Sequence, residues 1–166
     1  MKIFLSLCFW LTLCFLGKGQ ERYVISIADK GALLGNNVYN IYEDKQGYIW
    51  IAGNAGLLKF DATDYIPYRC NEQSSLAGSC INQDKYGRIW YENFDGYLFY
   101  VVNKVMKPLK QKKVFDFIPF GFLKNHLITV HKKGLDIYDL KTLKRIYTNN
   151  TSSPAIYSPI GYPIVL

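Results

Sequence analysis

The sequence predicts an all-β protein assembled from repeated four-stranded antiparallel units. Three observations carry this reading. Aromatic residues make up 16% of the chain, and aromatic and β-branched residues favour strands over helices. The motif Asp-x-x-Gly-x-Ile-Trp stands at Asp44–Trp50 and returns at Asp84–Trp90. Each copy is followed by a glycine-bearing turn and another apolar run, the pattern of short strands joined by tight turns. A four-stranded unit of about 40 residues is the blade of a β-propeller. The expected fold is therefore an incomplete set of propeller blades, about three plus a remnant.

The chain opens on a targeting pattern. Lys2 supplies a positive charge, Ile3–Leu16 is almost wholly apolar, and Gly17 and Gly19 are small residues ahead of a cut before Gln20. This is the layout of a secretory signal peptide over residues 1–19. The apolar run Ile3–Leu16 is shorter than the roughly 20 residues a spanning helix needs. A lipoprotein reading through Cys14 is disfavoured, because bulky Leu13 stands where a small residue is wanted. The protein is expected to be exported, to the periplasm or beyond. Its net charge of +7 loses Lys2 and Lys18 with the signal, which leaves 7 − 2 = +5.

Residues 20–166 then divide into blades at about 34–72, 77–111 and 114–149, with a remnant at 150–166. In the first blade Asn37–Glu43 reads as a strand, Asp44–Gly47 as a turn, and Tyr48–Ala52 as a second strand. Gly53–Gly56 turns the chain again; Leu57–Asp61 and Tyr65–Cys70 are the third and fourth strands, with Pro67 marking an edge. When the two copies are set in one ungapped register, Asp44 meets Asp84, Gly47 meets Gly87, Trp50 meets Trp90 and Gly56 meets Gly96. A third, worn copy follows the second. There Leu127-Ile128 replaces Ile49-Trp50, Asn125 takes the place of Gly47, whose left-handed turn conformation Asn also tolerates, and Phe122 the place of Asp44.

Each repeated residue has a physical role. Asp44 and Asp84 cap their turns by accepting backbone N–H groups, and Gly47, Gly53 and Gly56 can adopt positive φ at no steric cost. Trp50 and Trp90 sit mid-strand, where a flat ring fills the space between neighbouring blades. A calcium-binding or catalytic role for the Asp pair, or sugar stacking by the Trp pair, fits a recurring structural position less well. No metal or cofactor is expected.

Cys70 and Cys80 remain once Cys8 and Cys14 leave with the signal. Close together along an exported chain, they are either a disulfide or two thiols at strand ends, the second being favoured. The lysines at 104, 107, 110, 112 and 113 read as charge guarding an edge strand, and no nucleic-acid partner is expected. Asn149-Asn150-Thr151-Ser152 holds two glycosylation sequons and reads as a polar loop.

Asn37–Asp61, reading NVYNIYEDKQGYIWIAGNAGLLKFD, resembles the two-component regulator propeller repeat, a strand followed by Glu-Asp-x-x-Gly-x-Ile-Trp-Ile-Gly-Thr and x-x-Gly-Leu-x-x-Phe-Asp. Ala52-Gly53-Asn54 departs from the Gly-Thr step, and Tyr91-Glu92-Asn93 departs further in the second copy. The resemblance implies the periplasmic sensor region of a hybrid two-component histidine kinase, sensing an extracellular glycan or other small ligand.

No kinase core, receiver or DNA-binding segment is legible, and neither His126 nor His131 lies on a phosphoacceptor-like helix. The chain is expected to be a truncated or split product, or a fragment of a longer receptor, working with further propeller blades or a kinase-bearing chain. The alternative is a secreted scaffold without signalling output. Enzyme activity is not expected: Glu92, Asp95, Asp136 and Asp139 form no spaced catalytic pair. A ligand would meet the loops of one propeller face or the central channel; Tyr48, Tyr86 and Phe94 near turns are the candidate stacking residues, though aromatic residues in such places more often pack at strand ends.

Overall fold

The computed structural model describes residues 37–109, 120–131 and 134–149. The signal-peptide reading at 1–19, the lysines beyond 109 and the remnant at 150–166 lie outside them. Among the described residues, twelve strands form three four-stranded antiparallel sheets. Blade 1 holds β1 (Val38–Glu43), β2 (Ile49–Gly53), β3 (Gly56–Phe60) and β4 (Tyr65–Tyr68). Blade 2 holds β5 (Gly78–Gln83), β6 (Ile89–Asn93), β7 (Leu98–Val102) and β8 (Val105–Pro108). Blade 3 holds β9 (Gly121–Leu123), β10 (His126–His131), β11 (Gly134–Asp139) and β12 (Arg145–Asn149). In every sheet the strands lie side by side in chain order, as short hairpin turns require. Among the described residues no helix is long and apolar enough to cross a membrane.

The repeat is visible in the strand register. In blade 1 Ile49 pairs with Phe60 and Gly53 with Gly56; at the matching places of blade 3, Leu127 pairs with Tyr138 and His131 with Gly134. Blade 2 departs from this. Trp90 faces Tyr100 and Glu92 faces Leu98, so the loop between β6 and β7 is longer than its counterpart in blade 1. Gly96, in step with Gly56 by sequence, leaves the strand and enters that loop. Its φ of 75° lets its N–H reach the Asn93 carbonyl at 3.0 Å, closing the hairpin.

Two further expectations are corrected. Gly53 does not take positive φ; it ends β2 in close contact with the chain before β1, where an added Cβ would lie 2.2 Å from the Asn37 carbonyl oxygen. In the β9–β10 turn of blade 3 the left-handed residue is Lys124, at φ 52°, and not Asn125. With Phe122 in place of the capping Asp, the Asp-bearing turn does not form. His126 pairs directly with Leu123, and the chain reverses over Lys124–Asn125.

The core lies in the seams between blades. In the first seam Trp50, Leu57 and Tyr68 of blade 1 pack on Ile89, Tyr91 and Phe99 of blade 2. In the second, Trp90 and Leu98 of blade 2 pack on Phe120, Leu127 and Tyr138 of blade 3. An aromatic ring buried this way removes roughly 200 Å² from water, worth about 5 kcal/mol before entropy is charged against it. Cys70 packs against the first seam and Cys80 against the second, and both are free thiols. The bridge that the sequence leaves open is not formed.

Candidate functional site

The repeated motif is a hydrogen-bonded unit. Asp44 is buried. One carboxylate oxygen accepts the N–H groups of Gln46 (2.9 Å) and Tyr48 (3.0 Å); the other accepts the indole N–H of Trp50 at 2.8 Å. Gly47, at φ 84°, completes the turn by donating to the Asp44 carbonyl at 2.9 Å, and no residue with a Cβ adopts that angle as cheaply. Asp84 repeats the set with Tyr86 N (2.8 Å), Arg88 N (3.1 Å) and the Trp90 indole (2.8 Å) around Gly87 at φ 81°. The carboxylate therefore caps the turn and also orients the seam-filling ring. Sequence reasoning found the cap and the filler but not the bond between them. The signal was present: Asp and Trp recur at the same spacing in both copies, and a buried indole N–H needs an acceptor.

Blade 2 adds a third partner. The Arg88 Nε donates to the second Asp84 oxygen at 2.6 Å, and its Nη2 donates to the Leu140 carbonyl of blade 3 at 2.5 Å. Blade-to-blade bonds recur on the residue after each Asp: the Lys45 N–H donates to Gln83 Oε1 at 3.0 Å, and the Lys85 ammonium donates to Asn125 Oδ1.

Because strand direction alternates, the β1–β2 and β3–β4 turns lie at one end of each blade and the β2–β3 turn at the other. The three candidate stacking residues are thus divided. Tyr48 and Tyr86 lie at the first end, each with a cation over its ring: Lys59 Nζ is 3.2 Å from the Tyr48 centroid, and Lys85 Nζ is 4.9 Å from that of Tyr86. Phe94 lies at the opposite end and meets Tyr39 of blade 1, ring centroids 5.1 Å apart at 64°.

Tyr39 was not expected there. It occupies a register irregularity between Val38 and Asn40, and a bulge of this kind re-aims a side chain. Its hydroxyl donates to Asn54 Oδ1 at 2.7 Å, and the Ser74 hydroxyl donates to Asp95 Oδ2 at 2.5 Å. Tyr39 and Phe94 are 45% and 44% exposed, so two aromatic rings and two amide or acid side chains open to solvent at one end of the first seam. This cluster is the candidate ligand site: a flat apolar surface beside hydrogen-bonding groups.

The acidic residues are dispersed. Asp95 stands in the β6–β7 loop and Glu92 is buried in β6. Asp136 is held in blade 3 by the Thr148 hydroxyl, with Arg145 at 3.6 Å. Asp139 accepts the Thr142 N–H at 2.7 Å and its hydroxyl at 2.8 Å, which hold its carboxyl below the usual range. Burial pushes the Cys80 thiol up to about 12, with the Glu92 charge adding to the effect.

The fold and its seams define an array of propeller blades. Residues 32–55 match the family described as two component regulator propeller. This is the repeat resembled by the stretch that reads into β1, the Asp44 turn and β2. No curated protein sequence matches the chain. Among solved structures it is similar to the extracellular domain of a protein assigned as a hybrid two component system of B. thetaiotaomicron, at 24% identity and a TM-score of 0.57, covering 74% of this chain and 20% of that one. It is also similar to the extracellular domain of a protein assigned as a one component system of the same organism, at 17% identity and a TM-score of 0.54, covering 70% and 17%. The chain spans a fifth or less of either structure, and these likenesses establish the propeller-like fold.

Proposed function

We propose that this chain is the N-terminal, extracytoplasmic, ligand-sensing propeller part of a two-component sensor-type receptor. The observation that carries the reading is the family match at residues 32–55, which takes in β1, the Asp44 turn and β2 of a blade whose fold resembles an extracellular domain of such a system. The role is binding and not catalysis. Export through the signal at residues 1–19 carries the blades out of the cytoplasm. Further blades and a kinase-bearing chain supply the rest of the receptor.

The ligand is an extracellular glycan or similar small molecule, received by the Tyr39–Phe94 pair with Asn54 and Asp95 beside it. Aromatic rings take the apolar face of a sugar while amide and acid groups take its hydroxyls. The test is calorimetric titration of the exported protein with a panel of oligosaccharides. At least one should bind, and Phe94→Ala with Tyr39→Ala should weaken it about tenfold or more. Binding that survives both substitutions would remove this site from the proposal. A mass of the exported product that includes residues 1–19 would remove the cleaved export signal.

A further inference from the structure

We propose that the rim of the first seam, at the end opposite Tyr39 and Phe94, is a second binding site, for a small organic anion: a carboxylate or sulfate on an apolar body. A groove of about 450 Å³ opens there between β4 and the β7–β8 hairpin. That volume lies in the range of small-molecule sites, roughly 300–1,000 Å³.

The charge of the groove is unbalanced. Lys59, Arg69 and Lys104 line it with a single acid, Asp61. The acid is already engaged: one Asp61 oxygen accepts the N–H groups of Thr63 (3.1 Å) and Asp64 (2.9 Å) in its own turn. Lys59 rests on the Tyr48 ring, and among the described residues none of the three cations forms an ion pair. Three cations against one engaged carboxylate leave a site complementary to an anion.

The surface between the charges is apolar. Met106 and Tyr68 are buried in the groove, while Ile66 and Val105 at its edge are 40% and 52% exposed. Exposed apolar side chains gathered around unpaired cations suit a ligand that carries both kinds of group.

Lys104 also stands in an unfavourable conformation. Asn103 and Lys104 take φ of 51° and 62° in the turn between Val102 and Val105, geometry in which glycine is cheapest at the second place.

The second seam carries a different side chain at the matching place. Arg88, the counterpart of Tyr48, bonds Asp84 and the Leu140 carbonyl and so ties blade 2 to blade 3. Tyr48 carries no such tie; at this end the first seam is crossed by the Lys45 N–H bond to Gln83, and the groove opens beside Tyr48.

The test is NMR titration of the exported protein with 2-naphthoate, with its neutral analogue 2-naphthamide and with inorganic sulfate. Naphthoate should shift the Lys104 amide and the Met106 methyl, bind more weakly at high salt, and outbind the amide about tenfold. Lys104→Gly relieves the turn while removing the charge, so it should keep the fold and lower naphthoate affinity; Arg69→Gln should lower it again. Tyr48→Arg should block the groove. Equal binding of naphthoate and naphthamide, no binding at all, sulfate alone binding as well as naphthoate, or full affinity in a folded Lys104→Gly protein would each overturn the proposal.

Discussion

Blades 1 and 2 meet across Trp50, and blades 2 and 3 meet across Trp90; one motif builds both seams, yet a side-chain guanidinium ties the rim of the second and a groove opens at the rim of the first. In the first, Asp44 holds two backbone N–H groups and an indole. In the second, Asp84 holds the same set and a guanidinium that reaches into the next blade. Trp90 also meets Phe120 and Phe122 of blade 3, ring centroids 6.4 and 5.9 Å away, where Trp50 meets Tyr68 of its own blade at 5.0 Å. Where Arg88 bonds the Leu140 carbonyl of the next blade, Tyr48 at the matching place lies under the Lys59 ammonium and lines a groove. A repeat can therefore hold its fold constant and vary its contacts at the residue between glycine and Ile-Trp.

The comparison breaks most sharply at the rings. Trp90→Ala should destabilise the protein by about 4–5 kcal/mol and Trp50→Ala by about 3–4, read from urea unfolding midpoints. Equal losses would mean that the second seam is no tighter than the first. Next come the acids. Asp84→Ala leaves four donors without their acceptor and should cost about 3 kcal/mol, against about 2 for Asp44→Ala, which strands three.

A smaller effect sharpens the role of the tie. Arg88→Tyr rebuilds the second seam in the pattern of the first and should cost about 1–2 kcal/mol, since Asp84 keeps its indole and backbone partners. A neutral result would show that the Leu140 bond contributes nothing to stability. The smallest effect concerns the thiols. Cys80, raised to about 12 by burial and the Glu92 charge, should react with a maleimide at about pH 8.5, near the free-thiol value, more slowly than Cys70, which burial raises as well. Because the folded thiol of Cys80 holds its proton above the ordinary value of 9.0, its contribution is present below that pH. It is lost as pH climbs from 9.0 toward 12, so stability should fall over that window. Equal labelling rates would place Cys80 in the open.

Much of the blade plan was legible because the signals are local. An ungapped internal echo, Asp before a glycine turn and Trp after Ile mark strands and turns within a few residues of themselves. The slip at Gly96 was not legible. Counting residues along the chain keeps Gly56 and Gly96 in step, while pairing across the hairpin does not. The backbone at Asn125 and Gly53 departs from its sequence pattern for a similar reason. Where the chain bends depends on which neighbour occupies the space, Phe122 in one case and the Asn37 carbonyl in the other.

The motif by itself determined that this chain folds as β-blades, that acid and glycine shape its turns, and that tryptophan separates its sheets. Those are consequences of short-range backbone chemistry and of periodic burial. Only the tertiary structure decided that Asp44 and Asp84 grip the tryptophans they precede. It also decided that Tyr39 meets Phe94 across a seam, that Cys70 and Cys80 face different cores, and that Lys59, Arg69 and Lys104 converge on one groove. Each of those contacts joins residues on different strands or different blades, and the stacking of the sheets brings them into reach.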